Sequence, residues 1–436
     1  MHIKKHLSFE SLRQAVSDHV SEFSDRRQMS KVDHSLHDSC LSALAMMFFQ
    51  DPSMLAFQTR LQSATNSNNL QTLFDVSSIP KESQMKDILD KVPSQSFYPI
   101  FPEFLSRLQR AKHLEQFKYF NDSFLLPLDG TQYFASENIA CDHCLSKTLK
   151  NGNTLYYHQV LAATIVHPDI RQVIPLAPEP IENGDGSKKQ DCEQNAGKRL
   201  ISRIRSTHPK LNFILLGDAL YSNHPFIQSA KENRMSYIFV AKPDNHKFMF
   251  ECVRDFHSFG DGKTLSKKDL KGRTLIYKWC NKVPLNKTQQ TNDFVNFFEF
   301  SIITGDKATF KCSWVTDITI TRDNVEKLVK AGRSRWKIEN EAFNTLKNQG
   351  YHADHNFGHG TSNLSFNFFL LNLIAFFMHQ IAEMTDLYYQ KCRKTFSSKK
   401  EFWNQLRCTL RILVFSNWES LLTFITDPPD DRAQPP

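Results

Sequence analysis

Apolar residues along the chain follow two rhythms, and the changes between them divide it. From Phe9 to about Gln116 they recur at helical spacing, as at Leu41, Leu44, Met47 and Phe48, with Ser, Asp and His between. This predicts a helical domain over 1–120, interrupted by the Pro-containing passage Pro93 to Pro102 before a last helix through Phe104, Leu105 and Leu108. From Phe124 to Lys242 short apolar runs alternate with helix-period stretches. Strands are expected over Leu155–Val166, Gln172–Leu176, Leu211–Leu216 and Tyr237–Ala241, and helices over Asp191–Ser206 and Pro225–Asn233. That alternation predicts an α/β layer fold for 121–242. Over 243–315 the pattern turns to short strands, notably Thr274–Trp279 and Phe294–Thr304, joined by Lys-, Asn- and Asp-rich turns; it reads as a β insertion. The α/β part resumes over 316–362, and 363–436 reads as helices to about Thr426 and then a polar Pro/Asp tail. The apolar stretch Leu364–Met378 is interrupted by Asn367 and Asn372 and is shorter than the roughly 20 residues a membrane span needs. It predicts a buried helix and no membrane partner.

Composition narrows the class. A chain of 436 residues, 40% apolar and 12% aromatic, suffices for two to three domains with a sizeable core. Lys plus Arg outnumber Asp plus Glu by 54 to 46. Residues 1–125 carry 14 of each sign, so the excess lies downstream, in Lys263–Lys287, Arg322–Lys347 and Lys391–Arg411. Such runs are either solvated faces or the footprint of a polyanion. Nine cysteines, with no apolar core in Met1-His2-Ile3-Lys4-Lys5-His6, favour a reducing cytoplasm without disulfides over secretion.

Three widely separated carboxylates carry the chemistry. Asp129 closes the apolar run Phe124–Leu128, and Asp218 closes Phe213–Gly217; both read as strand ends opening into a turn. Glu339 lies in a segment without Gly or Pro from Arg333 to Gln349, which predicts an uninterrupted helix. On that helix Arg335 falls about 40° and Lys347 about 80° from Glu339, whereas Glu341 falls about 200° away and cannot serve the same site. Oxygen donors of this kind suit Mg²⁺ or Mn²⁺, and two such ions suit phosphodiester chemistry. Taken singly, an Asp after an apolar run also reads as a turn or a helix cap.

The segments Leu128-Asp129-Gly130-Thr131, Gly217-Asp218-Ala219-Leu220-Tyr221 and Arg335-Trp336-Lys337-Ile338-Glu339 resemble the three acidic motifs of DDE transposases from bacterial insertion sequences. The resemblance spans roughly 120–380, and is to the cut-and-paste group whose glutamate helix reads Y-x2-R-x3-E-x6-K. Arg335-x3-Glu339 matches; Gly332 stands in place of the Tyr, and Lys347 comes one residue late, which leaves Glu341 as the fallback. It implies a ribonuclease-H-like catalytic core with a β-strand insertion, preceded by a helical domain that binds element ends and followed by C-terminal helices. It also implies two Mg²⁺ or Mn²⁺ ions on Asp129, Asp218 and Glu339, DNA contacts from Arg335 and Lys347, and a homodimer acting on double-stranded element ends and target DNA. In relatives with this insertion a flipped base is held there, which makes Trp279 and Trp314 candidate stacking groups. The alternative is a transposase-derived DNA-binding regulator without catalysis. The implied location is the bacterial cytoplasm, at the nucleoid.

Cysteines and histidines make two further constellations. Cys141-Asp142-His143-Cys144 has CxxC spacing, and Cys192 could bring a third thiolate to a structural Zn²⁺. His352, His355 and His359 lie in a Gly-containing polar segment that reads as a loop, with His355 and His359 expected on DNA. Asp191 is an alternative second carboxylate, but follows the turn-like 184–187 with no strand leading into it.

Overall fold

The computed structural model describes residues 4–28, 30, 32–61, 64–183, 191–287 and 294–427; the turn at 184–187 and the tail beyond 427 lie outside them. The strands are β1 (Lys118–Phe120), β2 (Ser123–Ser136), β3 (Leu145–Thr148), β4 (Thr154–His167), β5 (Ile170–Pro175), β6 (Glu179–Ile181), β7 (Phe213–Gly217), β8 (Ser236–Val240), β9 (Lys263–Lys268), β10 (Thr274–Pro284), β11 (Phe294–Thr304) and β12 (Lys307–Thr316). All belong to one twelve-stranded sheet with the path β3-β4-β2-β7-β8-β12-β11-β10-β9, with β5 and β6 on β4.

Within it β5, β4 and β2 are antiparallel neighbours, and β2, β7 and β8 are parallel ones. That arrangement is the ribonuclease-H-like core: an antiparallel three-strand meander whose first strand is extended by two parallel strands through helical crossovers. The crossovers are the helices Glu193–Thr207 and His224–Glu232. Parallel strands covered on both faces must be apolar throughout, and every residue of Phe213–Gly217 is buried.

The β insertion extends this sheet. β12 pairs antiparallel with β8 through Trp314↔Val240 and Thr316↔Ile238, so the insertion returns to the core in hydrogen-bonded register. Between β8 and β9 runs a helix, Lys247–Ser258, where the sequence pattern predicts only strands and turns. Its buried Met249 and Val253 are four residues apart, and Phe250 packs edge-on against Phe297 of β11. Strand packing on one face supplies the apolar partner that this short helix needs.

The two ends of the chain share one helical body. The apolar stretch forms the helix Leu364–Thr385, and 94% of its most apolar window is buried within the protein. Phe101 and Phe104, from the N-terminal helix Ile100–Arg110, pack against its Phe377. Phe9 stacks on Trp418, and Arg407 Nη1 donates to the carbonyl oxygens of Phe49 and Gln50.

Candidate active site

Strand register brings the two aspartates together. β2 and β7 pair in parallel from Phe124↔Phe213 to Pro127↔Leu216. Continued at the same offset, this register sets Asp129 opposite Asp218. The ladder stops at Pro127, which has no N–H to donate, and the sheet opens there. Asp129 is not at a strand end, as its sequence suggests, but inside β2. The strand runs on because β4 stays paired on its other edge, Asp129 with Ala162 and Gly130 with Leu161. Asp218 does close β7; its Oδ1 accepts the N–H of Leu220 at 2.9 Å. This Asx-type turn holds the carboxylate in place, and Asn223 then caps the next helix by accepting the N–H of Phe226 at 3.0 Å.

Glu339 reaches the same place from a broken helix. The helix Val325–Arg333 ends in a turn at Ser334 and Arg335; a π-helical turn, Ile338–Phe343, follows, and then Asn344–Asn348. The uninterrupted helix expected from the sequence is therefore replaced by one with a π-bulge at the glutamate. Single π-turns absorb one extra residue and concentrate at functional sites. Lys347, at i+8 from Glu339, thereby takes the angular place of i+7 in a regular α-helix, within about 20° of Glu339 rather than 80°. The late lysine and the bulge are one feature.

Arg335 joins two of the carboxylates. Its Nη1 lies 2.7 Å from Glu339 Oε1 and 3.7 Å from Asp129 Oδ2, and its guanidinium lies over the Trp336 ring at 4.9 Å. Glu341 points to the other flank, where it pairs with Arg171 at 3.4 Å, and Lys337 Nζ donates to the carbonyl of Ile170 at 2.7 Å.

A fourth carboxylate escapes the sequence pattern. Glu193, first residue of its helix, accepts a hydrogen bond from Gln159 Nε2 at 2.7 Å. Its Oε1 lies where a β-carbon at residue 130 would meet it, so Gly130 leaves room for this carboxylate beside the strand. The only signal was the glycine after Asp129, and it could not say what approached.

These groups leave a surplus of negative charge. Burial raises the Asp129 carboxyl to about 7; the Arg335 cation opposes this, and Glu339, Glu193 and Asp218 add to it. Burial, and then Asp218, also raise Glu193. All the donors are carboxylate oxygens, the set that suits a hard divalent cation.

Other sequence candidates lie elsewhere. Trp279 and Trp314 are 6% and 1% exposed and belong to the core; Trp314 stacks on Phe298, so neither presents a free face to a base. Trp336, in contrast, is 54% exposed. Gly332 has the Trp314 indole where a side chain would start, with the nearest ring atom 2.8 Å from a β-carbon built there, which accounts for the missing Tyr. Lys347 is half-buried and His355 exposed. Asp191 is buried and paired with Arg199 at 2.6 Å, which removes it from the carboxylate cluster. Cys192 is exposed at the start of the Glu193–Thr207 helix, apart from Cys141 and Cys144; these two meet His158 and His359 instead. His359 thus faces thiols and a second imidazole.

Comparison with known proteins agrees with this arrangement. Residues 183–377 match the family model of the transposase DDE domain, a span that holds Asp218, Glu339 and all of the insertion, while Asp129 lies upstream of it. No curated protein matches the chain. With its ribonuclease-H-like core, the chain is similar over residues 183–377 to the transposase DDE domain family.

Proposed function

We propose that the protein is an active transposase that binds the ends of a mobile DNA element and catalyses metal-dependent DNA cleavage and strand transfer, as a homodimer, in the bacterial cytoplasm. The observation that carries this reading is the convergence of Asp129, Asp218 and Glu339 from two sheet strands and a π-bulged helix, around Arg335. Asp129, Asp218 and Glu339 would hold Mg²⁺ or Mn²⁺, with Glu193 the added carboxylate at the same opening. Bound there, two divalent ions supply activation of the attacking oxygen and stabilisation of the leaving one in an in-line phosphoryl displacement.

The chain's own groups would do the rest. Arg335, held by Glu339 and stacked on Trp336, is placed to meet a phosphate oxygen beside the carboxylates; guanidinium groups suit that contact. Lys347 continues the same helix stripe and would hold the DNA backbone further along. The exposed Trp336 replaces Trp279 and Trp314 as the indole able to stack on an unpaired base. His355 supplies a further backbone contact from the loop after the helix.

The test is incubation of purified protein with a DNA fragment carrying a candidate element end, in Mg²⁺ or Mn²⁺. Nicking at the end that disappears in Asp218→Ala, with DNA binding retained, is the expected result. Binding without nicking under both metals would overturn the proposal in favour of a regulator without catalysis.

A further inference from the structure

We propose that Cys141, Cys144, His158 and His359 form a structural zinc site that fastens the first strands of the catalytic core to the loop behind the glutamate helix. The four residues come from three separate places. Cys141 and Cys144 lie in the turn between β2 and β3, His158 lies on β4, and His359 lies in the loop that leads into the Leu364–Thr385 helix. One ligand atom from each lies within 4.8 Å of all the others.

The distances match one geometry. Tetrahedral zinc with Zn–S of about 2.3 Å and Zn–N of about 2.0–2.1 Å requires ligand separations of about 3.8 Å between sulfurs, about 3.5 Å between sulfur and nitrogen, and about 3.3 Å between nitrogens. Here Cys141 Sγ and Cys144 Sγ are 3.7 Å apart. His158 Nε2 is 3.6 Å and 3.5 Å from the two sulfurs, and His359 Nε2 is 3.4 Å from Cys144 Sγ. The two Nε2 atoms are 3.2 Å apart. A disulfide needs sulfurs at about 2.05 Å, so the pair is set for a shared ligand rather than for a bond.

The surroundings orient the ligands. His359 Nδ1 donates to the carbonyl of Gly360 at 2.8 Å, so Nε2 is the ring nitrogen that faces the thiols, and the Nδ1 bond is the outer contact metal-bound histidines usually make. Tyr133 stacks on His158 with ring centroids 5.8 Å apart, and the Phe134 ring lies 4.5 Å from His359. These rings come from the same β2 that carries Asp129. Beyond the site the Asp90 carboxylate accepts the N–H groups of Thr361, Ser362, Asn363 and Leu364, so the loop is fixed from both sides. A filled site would thus hold β2, β4 and the chain leaving the glutamate helix in one unit, whether or not the carboxylates are catalytic.

The experiment is elemental analysis of the full-length protein purified from zinc-supplemented cells, followed by replacement with Co²⁺ and its visible spectrum. The expected result is about one zinc per chain, and a tetrahedral cobalt spectrum with thiolate charge-transfer bands. Cys144→Ala and His359→Ala should each lose most of the zinc, and Cys192→Ser should keep it. Should either ligand variant fail to fold, the wild-type stoichiometry, the cobalt spectrum and Cys192→Ser still decide. Zinc well below stoichiometry with no cobalt uptake, copper or iron in its place, or equal loss of zinc in Cys192→Ser would overturn the proposal.

Discussion

Asp129 is the residue on which the electrostatics turn. Its carboxyl is raised from 3.8 to about 7 by burial and by the neighbouring carboxylates, despite Arg335. In the metal-free protein the folded state therefore holds this proton more tightly than the unfolded chain does, and stability falls as pH rises from about 4 to about 7. Asp129→Asn removes the ionisation. The metal-free variant should melt above the wild type at pH 8, by an increment on the order of 1–3 kcal/mol, and at the same temperature near pH 4. Adding Mg²⁺ at pH 8 should raise the melting temperature of the wild type and leave the variant nearly unchanged. A wild type whose metal-free stability is flat between pH 4 and 8 would contradict this. Asp129 and Asp218 were legible in the sequence because each closes an apolar run. Glu193 was not, because its place depends on a glycine in a distant strand, and His158 was not, because a histidine on a strand looks like any other alternating polar residue until the CxxC turn folds over it.

Among the elements, the π-turn Ile338–Phe343 and the insertion strands set the geometry. The glutamate helix is legible in the sequence, but no Gly or Pro marks the bulge. Only the lysine one residue out of place hinted at it. The strand Phe294–Thr304 was readable to the residue, whereas the helix Lys247–Ser258 was hidden by the strand-rich pattern around it. Gly332 tests the fit between helix and sheet. Alanine is favoured over glycine inside a helix by about 1 kcal/mol, yet here its methyl would meet the Trp314 ring at 2.8 Å. With the indole fully packed, overpacking should win, and Gly332→Ala should lose about 1–2 kcal/mol in denaturant unfolding. An unchanged or increased midpoint would show that the ring can yield.

At the scale of the whole molecule, the twelve-stranded sheet packs on a helical body made from both ends of the chain. The N- and C-terminal helices are each legible from local periodicity; that they pack together depends on contacts between residues hundreds of positions apart, which no local pattern carries. Asp90 is a direct link between them. Burial raises its carboxyl, but hydrogen bonds from Thr361, Leu364 and Ser362 outweigh that and hold it below 3.8. Its contribution is present above its unfolded value and is lost as pH falls through the lower folded one. Asp90→Ala should cost about 1.5–3 kcal/mol at pH 7, with the difference from wild type shrinking in acid; an equal loss at pH 7 and pH 3 would contradict the assignment.

Asp129, Asp218 and Glu339 are proposed to act as one metal-binding, DNA-cleaving site, in which Glu341 is the competitor for the place of Glu339. The measurement is end-specific DNA cleavage in Mg²⁺ by Glu339→Gln and Glu341→Gln side by side, with DNA binding checked for both. Because Glu339 shares Arg335 with Asp129 while Glu341 pairs with Arg171, Glu339→Gln should lower cleavage by roughly 10²–10³-fold, and Glu341→Gln should stay within a few-fold of wild type. Normal cleavage by Glu339→Gln, with the loss falling on Glu341→Gln, would make Glu341 the third carboxylate instead.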